Sequence, residues 1–287
     1  MSVRDTLVLT NRSLTKWVRN PAAIMPALFM SVFWLALFGS SFNPTNLVSS
    51  SIGSQLPPNV VSQINSQIQA QMFGGASTYI TYLVAGVIAL VVVINLGFGG
   101  IDIVLDRQLG FLNTLLVAPV SRTSIFFSGV WQNFTKAMVL ALATFIIGLI
   151  LPDGLKLASG FGPLSFVEVF VAVALLTFGF CSAFTAVAFS VKSIDSLVGI
   201  VNFLVFPLVF ASSAIFPSSS FPDWLKWIAE VNPVSKAAEA VRLLIIDGSL
   251  SSSELSTLEG DLVYLLAFAV ILTLLGVYVG RRALAPK

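Results

Sequence analysis

The sequence DRQLGFLNTLLVAPVSR, residues 106–122, is a polar interruption between two long apolar segments. Each flanking segment reaches the roughly 20 apolar residues that cross about 30 Å of lipid hydrocarbon. Hydrophobic residues make up 56% of the 287 residues and charged residues only 10%, whereas a soluble domain has about 25% charged residues. The composition therefore excludes an ordinary soluble domain and predicts an integral membrane protein.

Working outward from this interruption, we find apolar stretches of membrane-crossing length along the whole chain. They predict an all-α, polytopic membrane protein with six transmembrane helices and a single transmembrane domain. Between the first two helices, residues 43–78 carry no Asp, Glu, Lys or Arg and predict a neutral polar loop. The six predicted helices lie at about 22–42, 79–101, 125–151, 164–191, 197–216 and 262–280.

The distribution of Lys and Arg predicts how the chain is oriented. Basic residues near the ends of transmembrane helices are retained on the cytoplasmic side, and placing both termini there gives that side most of them. Segment 105–122 is then cytoplasmic, whereas 43–78 and 217–261 are extracellular. We predict a multi-pass protein of the plasma membrane. The cytoplasmic basic residues would be Arg4, Arg12, Lys16, Arg19, Arg107, Arg122, Lys192, Arg281, Arg282 and Lys287.

Residues 1–20 predict an amphipathic helix lying on the inner leaflet. Leu7, Leu14 and Trp17 approximate one helical face, and basic residues such as Arg12 and Lys16 form another. Such a helix binds the headgroup region through its apolar side and its positive charge. The alternative is an ordinary basic segment that flanks the first transmembrane helix.

The interruption itself predicts a short cytoplasmic helix with one apolar face. Leu109, Leu112 and Leu116 recur at helical spacing, and Phe111 and Leu115 lie beside them. Pro119 should end this helix, and Ser121 should cap the helix that follows. A rigid apolar helix between two transmembrane helices is able to fit a groove of a soluble partner, although a plain linker remains the alternative.

The segment between the last two apolar stretches predicts two short helices, near 222–230 and 233–246. At about 1.5 Å per residue, neither crosses the membrane alone. We expect them at the outer face, either folded back into the leaflet or lying on it. The alternative is an extracellular loop with a tryptophan belt. In the second helix, Lys236, Glu239 and Arg242 are spaced for ion pairing, on the side opposite Ala237, Val241, Leu244 and Ile245.

The sequence indicates neither a catalytic set nor a metal-binding set. Histidine is missing, Cys181 is the single cysteine, and no phosphate-binding G-x-x-x-x-G-K-[ST] motif occurs. Gly97-Phe98-Gly99-Gly100 therefore predicts close helix packing rather than a nucleotide loop. This chain should therefore not bind ATP through such a loop.

Three ionisable residues near the predicted membrane helices need an interpretation. Lys136 should either line an internal cleft or extend its amine to the inner interface. Asp102 and Asp106, one helical turn apart, should be ion-paired at a helix end. Two other functions remain open: a multispan enzyme that acts on lipid diphosphates with magnesium at these aspartates, or an ion-coupled secondary transporter, which would favour carboxylates near the middle of the membrane.

Two ordered motifs, with the six helices, carry a resemblance that extends over nearly the whole chain. The first is Asp106-Arg107, Gly110, Leu115-Leu116 and Pro119-Val120-Ser121-Arg122, and the second is Ile215-Phe216-Pro217, Phe221-Pro222-Asp223-Trp224-Leu225, Asn232-Pro233, Glu239 and Arg242. The first motif lies between the second and third predicted helices and the second lies between the fifth and sixth. In this order they resemble the permease subunits of type 2 ATP-binding-cassette (ABC) exporters of the daunorubicin-resistance type.

The resemblance implies a role for each polar segment. Residues 1–20 would be the connecting helix, 105–122 the loop with the coupling helix that docks on the ATPase, and 217–261 the extracellular re-entrant helices. The coupling residues would be Arg107, Leu109, Gly110, Phe111, Leu112, Leu115, Leu116, Pro119, Ser121 and Arg122. The re-entrant residues would be Pro217, Pro222, Trp224, Trp227, Asn232, Pro233, Glu239 and Arg242.

The resemblance also implies the partners and the transport reaction. Two ATPase subunits, which bind ATP and magnesium, would join two permease copies in the lipid bilayer, with a homodimer expected and no nucleic acid involved. This chain would hold no cofactor of its own. By alternating access, the complex would export a hydrophobic or amphiphilic substrate, such as a drug, a lipid or a lipid-linked glycan.

Overall fold

The computed structural model describes residues 3–41, 57, 59–61, 63–64, 67, 73, 76, 79–151, 154–246 and 250–284. Most of the loop predicted at 43–78 lies outside these residues. The described elements are helices, with a short 3₁₀ turn at Ser218–Ser220. The α-helices are α1 (Val3–Val18), α2 (Pro21–Ser41), α3 (Tyr79–Phe98), α4 (Ile101–Gln108), α5 (Phe111–Val117), α6 (Arg122–Ile150), α7 (Pro163–Ser190), α8 (Ile194–Phe210), α9 (Asp223–Val231), α10 (Pro233–Ile246) and α11 (Ser252–Ala283).

Four stretches of the described chain are long and apolar enough to cross a membrane. Their mean hydropathies lie between 1.8 and 2.6, and together they give a multi-pass, all-helical membrane protein. Shorter apolar stretches occupy Ile24–Gly39 and Ile194–Phe210. The four longer stretches are Tyr79–Gln108, Arg122–Ile150, Pro163–Ser190 and Ser252–Ala283.

Each of the six predicted apolar helices has a counterpart, but the limits of the last two differ from the prediction. The fifth, predicted at 197–216, is α8 and ends at Phe210. The last, predicted to begin at 262, is α11 and begins at Ser252. This early start has a local cause, because Ser251 and Glu254 form a capping box in which each side chain bonds the other residue's backbone N–H. The charged first turns continue the helix beyond its apolar part.

Helix α3 lies at the centre of the fold. Its residues 83–93 are at most 2% exposed where they are hydrophobic, because α2, α6, α7, α8 and α10 pack around it. Helix α11 differs, since it packs mainly on α7 and α10 and leaves Val263, Leu266 and Leu274 exposed. An apolar surface of this kind suits contact with lipid rather than water.

Glycines bring several of these helices unusually close together. A Cβ at Gly86 of α3 would overlap the carbonyl oxygen of Ala214. A Cβ at Gly100 would lie 2.7 Å from the Cβ of Ala188 in α7. The prediction that the Gly97–Gly100 segment serves close helix packing is therefore confirmed.

Candidate functional site

The predicted cytoplasmic helix is an elbow of two short helices, α4 and α5, which Gly110 joins. Gly110 has φ 80°, a left-handed conformation that only glycine adopts at little cost. Helix α5 ends at Val117, and Ala118 is extended. The Ser121 side chain accepts a hydrogen bond from the Ser124 backbone N–H at 3.1 Å, which caps α6. The predicted ending before Pro119 and the predicted cap at Ser121 are both confirmed.

The apolar face predicted for this helix needs a correction. Leu112, which we expected to face a partner, is only 5% exposed and belongs to the core of its own chain. Phe111 and Leu115 are half-buried, because α1 and α6 cover this side of the elbow. Among the described side chains of the elbow, the exposed apolar ones are Leu109, which was predicted on this face, at 78%, and Val117, which was not, at 86%. The side chain of Leu116, also predicted on the contact face, lies outside the described part.

Helix α1 holds the elbow from one side. An Arg12 guanidinium nitrogen lies 3.4 Å from a carboxylate oxygen of Asp106, and the guanidinium carbon lies 3.7 Å from the centre of the Phe111 ring. Lys16 reaches Asp102 at 4.0 Å. The N-terminal helix predicted from the sequence is thus present, and two of its basic residues bind the elbow rather than face solvent alone.

Arg107 fastens the elbow to the end of α7. Its guanidinium donates hydrogen bonds to the backbone carbonyls of Val191, at 2.6 Å, and of Phe189. Phe189 lies in the last turn of α7 and Val191 is its C-cap, so the free acceptors and the helix dipole there favour a cation. Arg107, predicted as a coupling residue, therefore acts within its own chain. Pro119 and Arg122 remain exposed.

Lys136 of α6 provides the third attachment. Its amine lies 2.8 Å from a carboxylate oxygen of Asp102, and the residue is only 9% exposed. Lys136 lines a cleft of about 260 Å³ between α1, α2, α3, α4 and α6. The prediction that Asp102 and Asp106 are ion-paired is confirmed, so both carboxylates of the suggested magnesium site already have cationic partners.

A second set of predicted residues meets where α8 ends. Asn232 donates from its amide nitrogen to the carbonyls of Leu208, at 2.8 Å, and Ala211, at 3.1 Å. Its amide oxygen accepts from the Val234 backbone N–H at 2.9 Å. Asn232 thus satisfies the end of α8 and the beginning of α10 together, and Pro233 occupies the first turn of α10, where its missing N–H costs nothing.

Arg242 is buried within this junction. Its guanidinium donates to the carbonyls of Ser213, Ala214 and Tyr82 at 2.8, 2.7 and 3.2 Å and lies 3.7 Å from the Tyr82 ring centre. Lys236, Glu239 and Arg242 are spaced for ion pairing as predicted, but the hydrogen-bond donors of Arg242 bind backbone carbonyls. These bonds satisfy the non-helical backbone that follows α8, as a low-dielectric interior requires.

The remaining predicted residues divide between α9 and α10. Glu239 lies 3.7 Å from Lys236, as predicted, and accepts a hydrogen bond from the Ser213 hydroxyl at 3.2 Å. Helix α10 packs among α3, α7 and α11, rather than lying on the surface.

The predicted residues before α10 lie around α9. Pro217 precedes the 3₁₀ turn and Pro222 precedes α9. Helix α9 exposes Trp224 and Trp227.

Sequence reasoning missed several residues of the α8–α10 junction. The hydroxyl of Tyr82 donates to the Ser213 carbonyl at 3.2 Å, and that of Tyr79 to the Ile215 carbonyl at 3.3 Å. Ser235 accepts from the Ser213 backbone N–H at 2.9 Å. One signal was present, since an arginine in a short apolar helix needs buried acceptors, but nothing local identifies which residues provide them.

These features define a multi-pass α-helical membrane protein with a firmly attached elbow between two of its long helices. Comparison with known proteins gives the family. Residues 4–246 match the model of the ABC-2 type transporter family. Because the match covers most of the chain, the protein belongs to that family and is a transport permease rather than an enzyme.

Similar proteins match over nearly the same length. A putative transport permease, ycf38, of Porphyra purpurea is 28% identical over 99% of this chain and 90% of its own. The ycf38 protein of Cyanophora paradoxa is 26% identical over 98% of this chain and 89% of its own. The probable doxorubicin resistance ABC transporter permease protein DrrC of Mycobacterium tuberculosis is 25% identical over 94% of this chain and 85% of its own.

Proposed function

We propose that this permease exports a hydrophobic or amphiphilic substrate by alternating access, driven by a separate ATPase subunit that docks on the elbow. ATP and magnesium would bind in that subunit, since permeases of this family normally pair with one. Candidate substrates are a drug, a lipid or a lipid-linked glycan. The name of the M. tuberculosis relative, which refers to doxorubicin resistance, supports the amphiphilic class.

The observation that carries this proposal is the way the elbow is attached. Arg12 links it to α1, Arg107 to α7 and Lys136 to α6. An element fastened at three places moves with those helices when a partner displaces it, whereas a flexible linker would absorb the displacement. Leu109 and Val117 are exposed on this element, so they offer a partner an apolar contact.

The proposed topology has six transmembrane helices, with both termini in the cytoplasm. Helices α2 and α8 would cross the membrane with the four longer apolar stretches, and α9 and α10 would form the re-entrant segment of the outer leaflet. The exposed tryptophans of α9 support an interfacial position for that helix. Basic residues at both chain ends support the orientation, and the plasma membrane is the proposed location.

We further propose two permease copies and two ATPase subunits in each complex. Helices α2 and α8 support pairing, because each exposes large aromatic side chains, among them Phe29 and Phe33 of α2 and Phe203 and Phe210 of α8. These helices pack on α3 from the side and leave their other faces uncovered by the described chain. A second copy would cover such faces and enclose a substrate path between the two.

The docking proposal is tested by charging the exposed part of the elbow. We expect Leu109→Glu and Val117→Glu together to reduce co-purification of the permease with its ATPase at least tenfold, because two buried charges without partners would oppose the interface. Both side chains are exposed in the permease alone, so folding and membrane insertion should be unchanged. Affinity capture from membranes, with quantification of the ATPase, measures the effect.

The matched control places the same charges at exposed positions away from the elbow. Leu255→Glu with Val231→Glu should leave co-purification at the wild-type level, because Val231 ends α9 and Leu255 lies in the first turn of α11, both exposed and at the proposed outer side. If the elbow variant retains its ATPase, or if the control loses it equally, the docking proposal is wrong.

A further inference from the structure

The cleft beside Lys136 has a polar end inside a largely apolar wall. Asp102, Asn133 and Lys136 lie at the polar end, and Trp17 of α1 also lines the cleft. Leu96, Ala137, Leu140 and other apolar residues line the rest. A volume of about 260 Å³ is many times the roughly 30 Å³ share of one water molecule. The cleft is therefore large enough for part of an organic molecule that is polar at one end.

The charge at the polar end is unbalanced. Asp102 is the carboxylate between two lysines, with Lys136 at 2.8 Å and Lys16 at 4.0 Å. Nearby, Arg12 and Asp106 balance each other. Because Lys136 is the closer partner of Asp102, the positive charge left over is that of Lys16, whose side chain is 55% exposed. An anion carrying one negative charge would neutralise it.

Asn133, which also lines the cleft, has a buried amide oxygen that needs a hydrogen-bond donor. It is 3% exposed, and its amide oxygen has no hydrogen-bond donor among the described residues. Asn133 packs against Gly99, where a Cβ would lie 2.8 Å from that oxygen. A buried acceptor without a donor destabilises the fold. A ligand that brings a hydroxyl or ammonium group to this oxygen would remove that penalty.

We infer that this cleft binds the headgroup of a glycerophospholipid, with the phosphate beside Lys16 and Lys136 and a headgroup hydroxyl or ammonium donating to Asn133. A phosphate diester supplies the single negative charge. The apolar lining continues from the polar end along membrane helices, so it suits acyl chains and favours a lipid over a free phosphate ester. This site is additional to the transport function proposed above and does not depend on the ATPase.

The inference ranks common lipids by their headgroups. Phosphatidylglycerol has a net negative charge and hydroxyl donors, so it should bind most tightly. Phosphatidylethanolamine has an ammonium donor but no net charge and should follow. Phosphatidylcholine has no N–H or O–H donor. The loss of one hydrogen bond, about 1 kcal/mol, should make its affinity about fivefold lower than that of phosphatidylethanolamine.

The full-length chain, purified in detergent, tests this ranking by native mass spectrometry with titrated lipids. Asn133→Leu should abolish the difference between phosphatidylethanolamine and phosphatidylcholine. Lys16 is exposed, so Lys16→Gln should leave the fold intact. It should lower the affinity for phosphatidylglycerol at least threefold, because the attraction between the lysine and the phosphate is lost. Lys192→Gln, at an exposed lysine away from the cleft, is the matched control and should change neither affinity.

Three results would overturn the inference. Equal binding of phosphatidylcholine and phosphatidylethanolamine to the wild type would exclude the Asn133 contact. If Lys192→Gln weakened phosphatidylglycerol binding as much as Lys16→Gln does, the effect would be one of general surface charge and not of the cleft. Binding of soluble glycerophosphoglycerol as tightly as phosphatidylglycerol would show a phosphate-ester site rather than a lipid site.

Discussion

At the scale of single residues, the elbow depends on the backbone of Gly110. Its φ of 80° turns the chain between α4 and α5, and nothing lies within 4 Å of the place where a Cβ would be added. Space therefore does not explain the glycine, but the left-handed backbone does, since this conformation costs other residues about 1–2 kcal/mol. The direction in which α5 leaves α4 is set at this residue.

A pair of matched substitutions tests this explanation. Gly110→Ala should lower the free energy of unfolding by about 1 kcal/mol, because alanine is strained at positive φ. Gly199→Ala also meets nothing within 4 Å but lies inside α8, so it should raise stability by up to about 1 kcal/mol. Thermal unfolding of the detergent-purified permease measures both, and equal effects would refute the conformational explanation.

At the scale of elements, the junction of α8 and α10 is held by Arg242 and Asn232. The backbone at 211–216 leaves the helix, and its carbonyls are bonded by side chains from α3 and α10. In a membrane protein each unsatisfied peptide group costs several kcal/mol. This network therefore allows the chain to leave α8 and re-enter the fold as α10.

Removing the Arg242 guanidinium should show how much the junction depends on it. Arg242→Leu removes the guanidinium donors from three backbone carbonyls. We therefore expect the free energy of unfolding to fall by about 3 kcal/mol. Arg19→Leu, at an exposed arginine, should change stability by less than about 0.5 kcal/mol. Unfolding titrations in mixed micelles provide the comparison, and an Arg242 variant as stable as the Arg19 control would contradict this account.

The two polar segments show which element features can be predicted from the sequence. The Ser121 cap and the helix ending before Pro119 follow from rules that involve neighbouring residues only. The burial of Leu112 does not, because periodicity identifies an apolar face but not the helix that covers it. The hydrogen-bond acceptors of Arg242 could not be predicted for the same reason, since they come from residues far away in the chain.

At the scale of the whole molecule, α3 forms the centre and its continuation is the elbow. The Gly99 and Gly100 turn joins α3 to α4, so a force on the elbow acts close to the most buried helix. The positions of the apolar helices were predictable because a membrane requires long apolar segments with satisfied backbone groups. The packing of α10 against α3, α7 and α11 was not, because a short apolar helix fits several environments.

The central claim is that an ATPase docks on the elbow and that α9 lies on the opposite side of the membrane. A photo-crosslinking amino acid placed at Val117 or, separately, at Trp227 tests both parts in intact membranes. Both side chains are exposed, so either position is able to react with a bound partner. We predict that the ATPase is crosslinked from Val117 and not from Trp227; crosslinking from Trp227, or none from Val117 in an active complex, would contradict the account.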